Sequence, residues 1–276
     1  MLPNHHVEKP KKRSQIRQIL GKEYFILKRK WKWFKERHTF AKVDTQPVFE
    51  HSVIKHQSLL LRPLKDVDMI LQHNKIKNLE IAISHITHVV IRPGETFSIW
   101  QMVGRPTSAK GYLPGLVLHN GKIDKGIGGG LCQLGNLLYW MVLHTPLTIK
   151  ERWRHGYDVF PDVNRKIPFA CGATLSYNYI DLQIQNNTPY TFQIQLHLDP
   201  KNLNGEILCE VPLHTKYEVV ETDHRIVQQW WGGYTRHNKI WKKITHPNTN
   251  EVPDELVSEN NAIMMYNPFL SEAASS

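Results

Sequence analysis

Cys132 follows the glycine-rich run Gly126-Ile127-Gly128-Gly129-Gly130 and precedes Leu134, Leu137, Leu138, Met141 and Val142, apolar residues at helical spacing. A cysteine at such a helix start meets unpaired N–H groups and the positive end of the helix dipole. That setting lowers a thiol pKa and supplies thiolate at neutral pH. Glycines let a second group approach the main chain closely. The sharpest reading is a cysteine nucleophile, with an oxyanion held by main-chain N–H groups near Gly128, Gly129, Gly130 and Gln133. The same loop would equally hold a phosphate or carboxylate with no chemistry. A small buried residue at a tight helix–loop junction is the third alternative.

A thiol nucleophile needs a base. His155 lies 23 residues on, and Asp158 and Asp181 are the acids that could orient it. The order Cys, His, Asp is one that cysteine hydrolases use. The competing reading makes His155 a strand histidine satisfied by a backbone partner. Arg152 can grip a carboxylate bidentately, or pair with Glu151. Trp140 and Trp153 read as core, and Cys171 and Cys209 as packing residues. Three cysteines with no CxxC pair suit a reducing compartment. No HExxH occurs among the sixteen histidines, and GxGxxG and P-loop motifs are absent. Neither a metal nor a cofactor is therefore assigned.

The elements that must position these groups are α+β. A stripe of Met69, Ile76, Leu79, Ile83 and Ile86 predicts a helix within residues 64–88. HVVIRPGETFSIW reads as strand, Pro93-Gly94 turn and strand, and Asn120-Gly121 as a hairpin turn after Leu116-Val117-Leu118. The glycine loop leads a helix that Pro146 stops. Beyond it, LTIKERWRHGYDVF and ATLSYNYIDLQIQ read as long strands. Phe192, Ile194, Leu196 and Leu198 alternate on another, and RIVQQWW and YTRHNKIWKKI flank Gly232-Gly233 as a hairpin. The fold class is antiparallel strands packed with the glycine-loop-led helix, plus a basic N-terminal helix.

The formal charge of +10 is concentrated at one end. Twelve Lys or Arg fall between Lys9 and Arg37, whereas the remaining chain is nearly neutral. Among them Ile16, Leu20, Tyr24, Leu27, Trp31 and Phe34 recur at spacings of three and four. Such a helix suits an anionic membrane surface through residues 9–37. Packing on the main domain competes with that reading, and nucleic acid is the less favoured partner. The chain divides into a basic segment (1–40), an α+β domain (41–246) and a C-terminal extension with a loose tail (247–276). It carries no run apolar enough to span a bilayer and no secretory core at its start, so a cytoplasmic location, peripheral at the inner membrane face, is expected.

RPGETFSIW, Gly111-Tyr112, GGGLCQ, ERWRH, ATLSYNYIDLQIQNNT and ENNAIMMY together resemble the VanW family, most closely over residues 75–200. That family is tied to glycopeptide resistance by gene context and to the cell envelope by its larger, anchored members. The resemblance implies an accessory role in vancomycin resistance or peptidoglycan metabolism. Its marked positions fall on Gly128, Gly129, Gly130, Cys132, Gln133, Arg152, His155 and Asp181. A wall-related peptide, amide or precursor is the implied ligand or substrate. Family members commonly place an aspartate where this chain has Gly172. A triad here would have to draw its acid from Asp181 or Asp158.

Overall fold

The computed structural model describes residues 14–46, 48–61, 68–119, 122–159, 167–247 and 253–269. The chain divides into two compact units, Met1–Arg37 and His38–Ser276. The first contains α1 (Gln15–Lys35), capped by the Ser14 side chain and ending with Lys32 and Lys35 in its last turn, where cations complement the helix dipole.

In the second unit, β1 (Lys42–Val43) and β2 (His51–Leu59) precede α2 (Met69–Ser84). Asp68 caps α2, accepting from Ile70 N at 3.0 Å. The helix buries Leu71, Leu79, Ala82 and Ile83, while Met69 is exposed. The buried face is thus rotated from the expected stripe, taking Leu71 in place of Met69. β3 (Val89–Ile91), β4 (Thr96–Ser98) and α3 (Ile99–Val103) follow. β3 and β4 join different sheets, and Asn186 holds the turn between them. Its main chain bonds Gly94 and Glu95, and its side chain donates to Ile91 O.

β5 (Pro114–His119) and β6 (Lys122–Ile127) form an antiparallel ribbon before α4 (Cys132–Leu143). The expected Asn120-Gly121 turn lies outside the described residues. β7 (Thr148–Glu151), β8 (Tyr157–Asp158) and β9 (Gln183–Gln185) replace the two long strands that the sequence suggested. β10 (Phe192–Leu198), β11 (Asn202–Cys209), β12 (Lys216–Gln228), β13 (Tyr234–Thr245) and β14 (Glu255–Met264) complete the unit. β12 and β13 form the expected hairpin, with Gly232 at φ +87 in its turn. β14, in the stretch assigned to a C-terminal extension, pairs with β13 along its length. Residues 270–276 lie outside the described residues.

Two sheets dominate. One has the order β1-β3-β10-β11-β2, the other β12-β13-β14-β8. α4 lies on β11 and β2, where a Cβ at Gly205 would fall 2.6 Å from Met141 Cε. The glycine therefore sets how closely the helix approaches the sheet. Leu134, Leu137, Leu138, Met141 and Val142 are all buried along α4, the face read from their spacing. A smaller sheet, β4-β9-β7, carries the motif segments into the same core.

Candidate functional site

The glycine loop is a packing junction. Gly128 N donates to Leu113 O, Gly129 N to Gly126 O and Gly130 N to Leu116 O. Three of the N–H groups expected to face a ligand are thus engaged with carbonyls. Gly115 and Gly129 touch main chain to main chain, and a Cβ on either would overlap the other's carbonyl group. Asn78 fastens the junction from α2, donating to Gly129 O at 2.9 Å and to Leu113 O at 3.0 Å, and accepting from Leu113 N at 2.8 Å. Gln133 reaches to β2, donating to Ser58 Oγ and Leu59 O, both at 2.9 Å.

At the start of α4, the Cys132 thiol donates to Leu175 O at 3.9 Å, and burial pushes its pKa up. The helix start was expected to lower it. Desolvation disfavours the thiolate more strongly here than main-chain dipoles favour it. Among the described residues no hydrogen bond joins Cys132 to His155. His155 is half-buried, its pKa lowered first by burial and then by the neighbouring Arg154 charge.

Asp181 belongs to a third place. Its Oδ2 accepts from Ser98 Oγ at 2.5 Å and Gln183 Nε2 at 3.2 Å. Its Oδ1 accepts from Leu182 N at 2.9 Å and Trp100 N at 3.2 Å. The carboxyl therefore pins the start of α3 to the chain entering β9. Burial raises its pKa to about 7 against these hydrogen bonds, with the Glu151 charge adding to the rise. Arg152 is tied to main chain as well: its guanidinium donates to Gly172 O at 2.8 Å and to Ala170 O, and lies 4.6 Å over the Tyr139 ring. At Gly172, a Cβ would stand 2.6 Å from Asn136 Oδ1, which accepts from Ala173 N. An acid at that position would displace Asn136.

The sequence reading missed the polar layer under β13 and β14. Arg236, Asn238, Lys242 and Asn260 are buried there. Asn238 Nδ2 donates to Phe169 O at 2.8 Å, Asn260 Nδ2 to Asn238 Oδ1 at 2.9 Å, and Lys242 Nζ to Thr145 O at 2.6 Å. Arg236 donates to His224 Nε2 at 2.9 Å and pairs with buried Asp158 at 3.4 Å, which also accepts from the Tyr266 hydroxyl. Two guanidiniums meet on one ring: Arg236 lies 4.5 Å and Arg154 5.1 Å from the Phe169 centroid. Burial, with the Arg152 charge second, pulls Arg154 down to about 10. A bound anion would relieve that cost. One clue was present in the sequence: in RWRH, residues 152 and 154 share a side of an extended chain.

A separate cleft, lined by Glu50, His51, His144, Tyr217 and Glu218 among others, contains neither Cys132 nor Arg154. Among the described residues no group of three His, Cys, Asp or Glu is placed to hold a metal ion.

A family model described as "VanW like protein" matches residues 74–208. The chain is 36% identical over 187 residues to the vancomycin B-type resistance protein VanW of Enterococcus faecalis (strain ATCC 700802 / V583), covering 68% of each protein. It is 33% identical over 109 residues to the uncharacterized protein YoaR of Bacillus subtilis (strain 168), a match that covers 40% of this chain and 34% of that protein. No solved structure matches.

Proposed function

The chain belongs to the VanW family, and on that premise we propose that it serves glycopeptide resistance or cell-envelope metabolism as a binding module for a carboxylate- or phosphate-bearing ligand. The Enterococcus relative's name supports the physiological setting. A wall-related peptide with a free C-terminus, or a phosphorylated wall precursor, has the chemistry required.

One observation carries the binding reading: Arg154 and Arg236 converge on Phe169 beside Arg152, Arg236 buried and paired with Asp158 and Arg154 half-buried at a cost to its basicity. Held guanidiniums of this kind recognise planar anions with little loss of side-chain freedom. A Cys132 hydrolase would need an accessible thiolate and a base within hydrogen-bond reach. The half-buried Cys132, its thiol donating to Leu175 O and its pKa raised by desolvation, supports the non-catalytic alternative.

Calorimetric titration with a wall-related peptide ending in carboxylate, its amide-capped form and inorganic phosphate tests the reading. Arg154→Gln should weaken carboxylate binding by about tenfold or more, the value of a charge-assisted hydrogen bond. Cys132→Ser should leave it unchanged. Equal affinity for the amide-capped peptide would remove the anion site, and peptide turnover abolished by Cys132→Ser would establish the nucleophile instead.

A further inference from the structure

We propose that α1 is an interfacial helix that lies on an anionic lipid bilayer, a role independent of the anion-binding reading above. At 100° per residue, Ile16, Leu20, Tyr24, Leu27, Trp31 and Phe34 fall within about 80° of one another around the helix. They form one continuous stripe. All six are solvent-exposed, from 59% at Phe34 to 72% at Ile16. A stripe of this length left in water marks a surface that meets an apolar phase.

The charges around it name the phase. Residues 15–35 contain seven Lys or Arg and one acid, Glu23. Arg17, Lys28 and Lys35 run along one edge of the stripe, with Lys30 and Glu23 along the other. At the C-terminal end, Trp31 and Phe34 stack at 6.0 Å, Lys35 lies 5.2 Å over the Trp31 ring and Arg37 5.0 Å over the Phe34 ring. Aromatic rings with cations beside them suit the headgroup boundary: the rings enter and the long basic side chains reach back to phosphates. No described helix is long and apolar enough to cross a membrane, so the attachment is in the plane of the surface. Paired apolar and cationic signals distinguish a lipid surface from nucleic acid, whose backbone needs the cations but not a stripe containing Ile16, Leu20 and Leu27.

Co-sedimentation of the full chain with vesicles tests the assignment. Equimolar phosphatidylglycerol and phosphatidylcholine should bind the protein and phosphatidylcholine alone should not, with binding falling as salt rises. Leu20→Glu with Leu27→Glu should lower binding by about tenfold or more. If circular dichroism shows that this pair has lost helix, Lys28→Glu with Lys35→Glu, which leaves the stripe intact, carries the same expectation. Undiminished binding by a helical variant overturns the proposal. So does self-association without lipid that Leu20→Glu/Leu27→Glu abolishes, which would assign the stripe to a second copy of the chain. A single-stranded oligonucleotide that binds in place of vesicles and is released by the same variant also overturns it.

Discussion

The two large sheets of the second unit share antiparallel pairing and differ in what they bury. Val89, Ile91, Phe192, Ile194, Leu203 and Ile207 of the β1-β3-β10-β11-β2 sheet are all 0% exposed. In the β12-β13-β14-β8 sheet the buried positions include Arg236, Asn238, Lys242 and Asn260, each tied by hydrogen bonds to a loop or a neighbouring strand. Apolar burial stabilises in proportion to area. Buried charges and amides roughly break even at best, and what they gain is geometry. The first sheet thus holds the fold, and the second holds side chains in place. The largest expected effect follows from this: Phe192→Ala should cost about 3–5 kcal/mol in denaturant unfolding, the range for truncating a fully buried ring. A loss below about 1 kcal/mol would deny the first sheet its role.

Next in size is the pH dependence set by Asp181, which lies between the two sheets' roles as a buried polar pin in an apolar core. Its carboxyl titrates near 7 in the folded chain, against 3.8 in its unperturbed state. Between those values the folded chain keeps a proton that the unfolded chain has released. Raising the pH therefore opposes folding, and stability from this group is full below 3.8 and lost as pH rises through about 7. The linked change is on the order of 4 kcal/mol. Asp181→Asn should remove it, so the wild-type and variant stability curves should converge toward acid and separate toward neutral pH. Parallel curves would show that the carboxyl titrates alike in the folded and unfolded chain, the hydrogen bonds from Ser98 and Trp100 cancelling the cost of burial.

How much of this was legible depended on where each residue's partners lie. The α4 face, the β10 alternation and the β12–β13 hairpin use neighbours within a few residues, so periodicity and Gly232-Gly233 located them. The segments at 152–156 and 173–182 read as strands because their residue types favour strands. Their bonds run elsewhere: Arg152 to the carbonyls of Ala170 and Gly172, Ser176 to Ile180, and Asp181 to Ser98 and Trp100. Asp181 was singled out in the sequence as an acid that could orient His155, but its hydrogen bonds are set by a segment 83 residues earlier. The glycines were legible as a special conformation and not as a purpose, since only Gly115 and Asn78, arriving from other elements, make Gly129 a packing contact. The polar layer was the least legible. Along β13 its inward residues Arg236, Asn238 and Lys242 resemble an exposed face until β14 and the 167–172 segment cover them.

A third effect separates the sheets directly. Arg236→Met alone leaves Asp158 buried without its cation and should cost about 3 kcal/mol. Adding Asp158→Leu should recover most of that loss, because two well-packed apolar groups replace a buried pair at little net cost. Anion binding should not return with stability. A double variant that is both stable and fully competent to bind would leave the polar layer with no function beyond filling space.

The smallest expected effect concerns Cys132, yet it is the one that could move the site to another place in the molecule. Cys132 is half-buried, its thiol donates to Leu175 O, and desolvation holds its pKa above the ordinary value. The thiol's bond to Leu175 O is long, 3.9 Å, and therefore weak, so losing it in Cys132→Ser should change stability by within about 1 kcal/mol. With Cys171 and Cys209 both changed to serine, alkylation of Cys132 should be slow at neutral pH and should rise only above the range of a free thiol, about 8.5. His155→Ala should leave that profile where it is, because no hydrogen bond links the two groups. A fast reaction with a midpoint below 7.5 that shifts upward in His155→Ala would mean that the loop opens and a thiolate–imidazolium pair forms. The chemistry would then sit at the glycine junction against the apolar sheet, and the polar layer under β13 would lose its claim to the ligand.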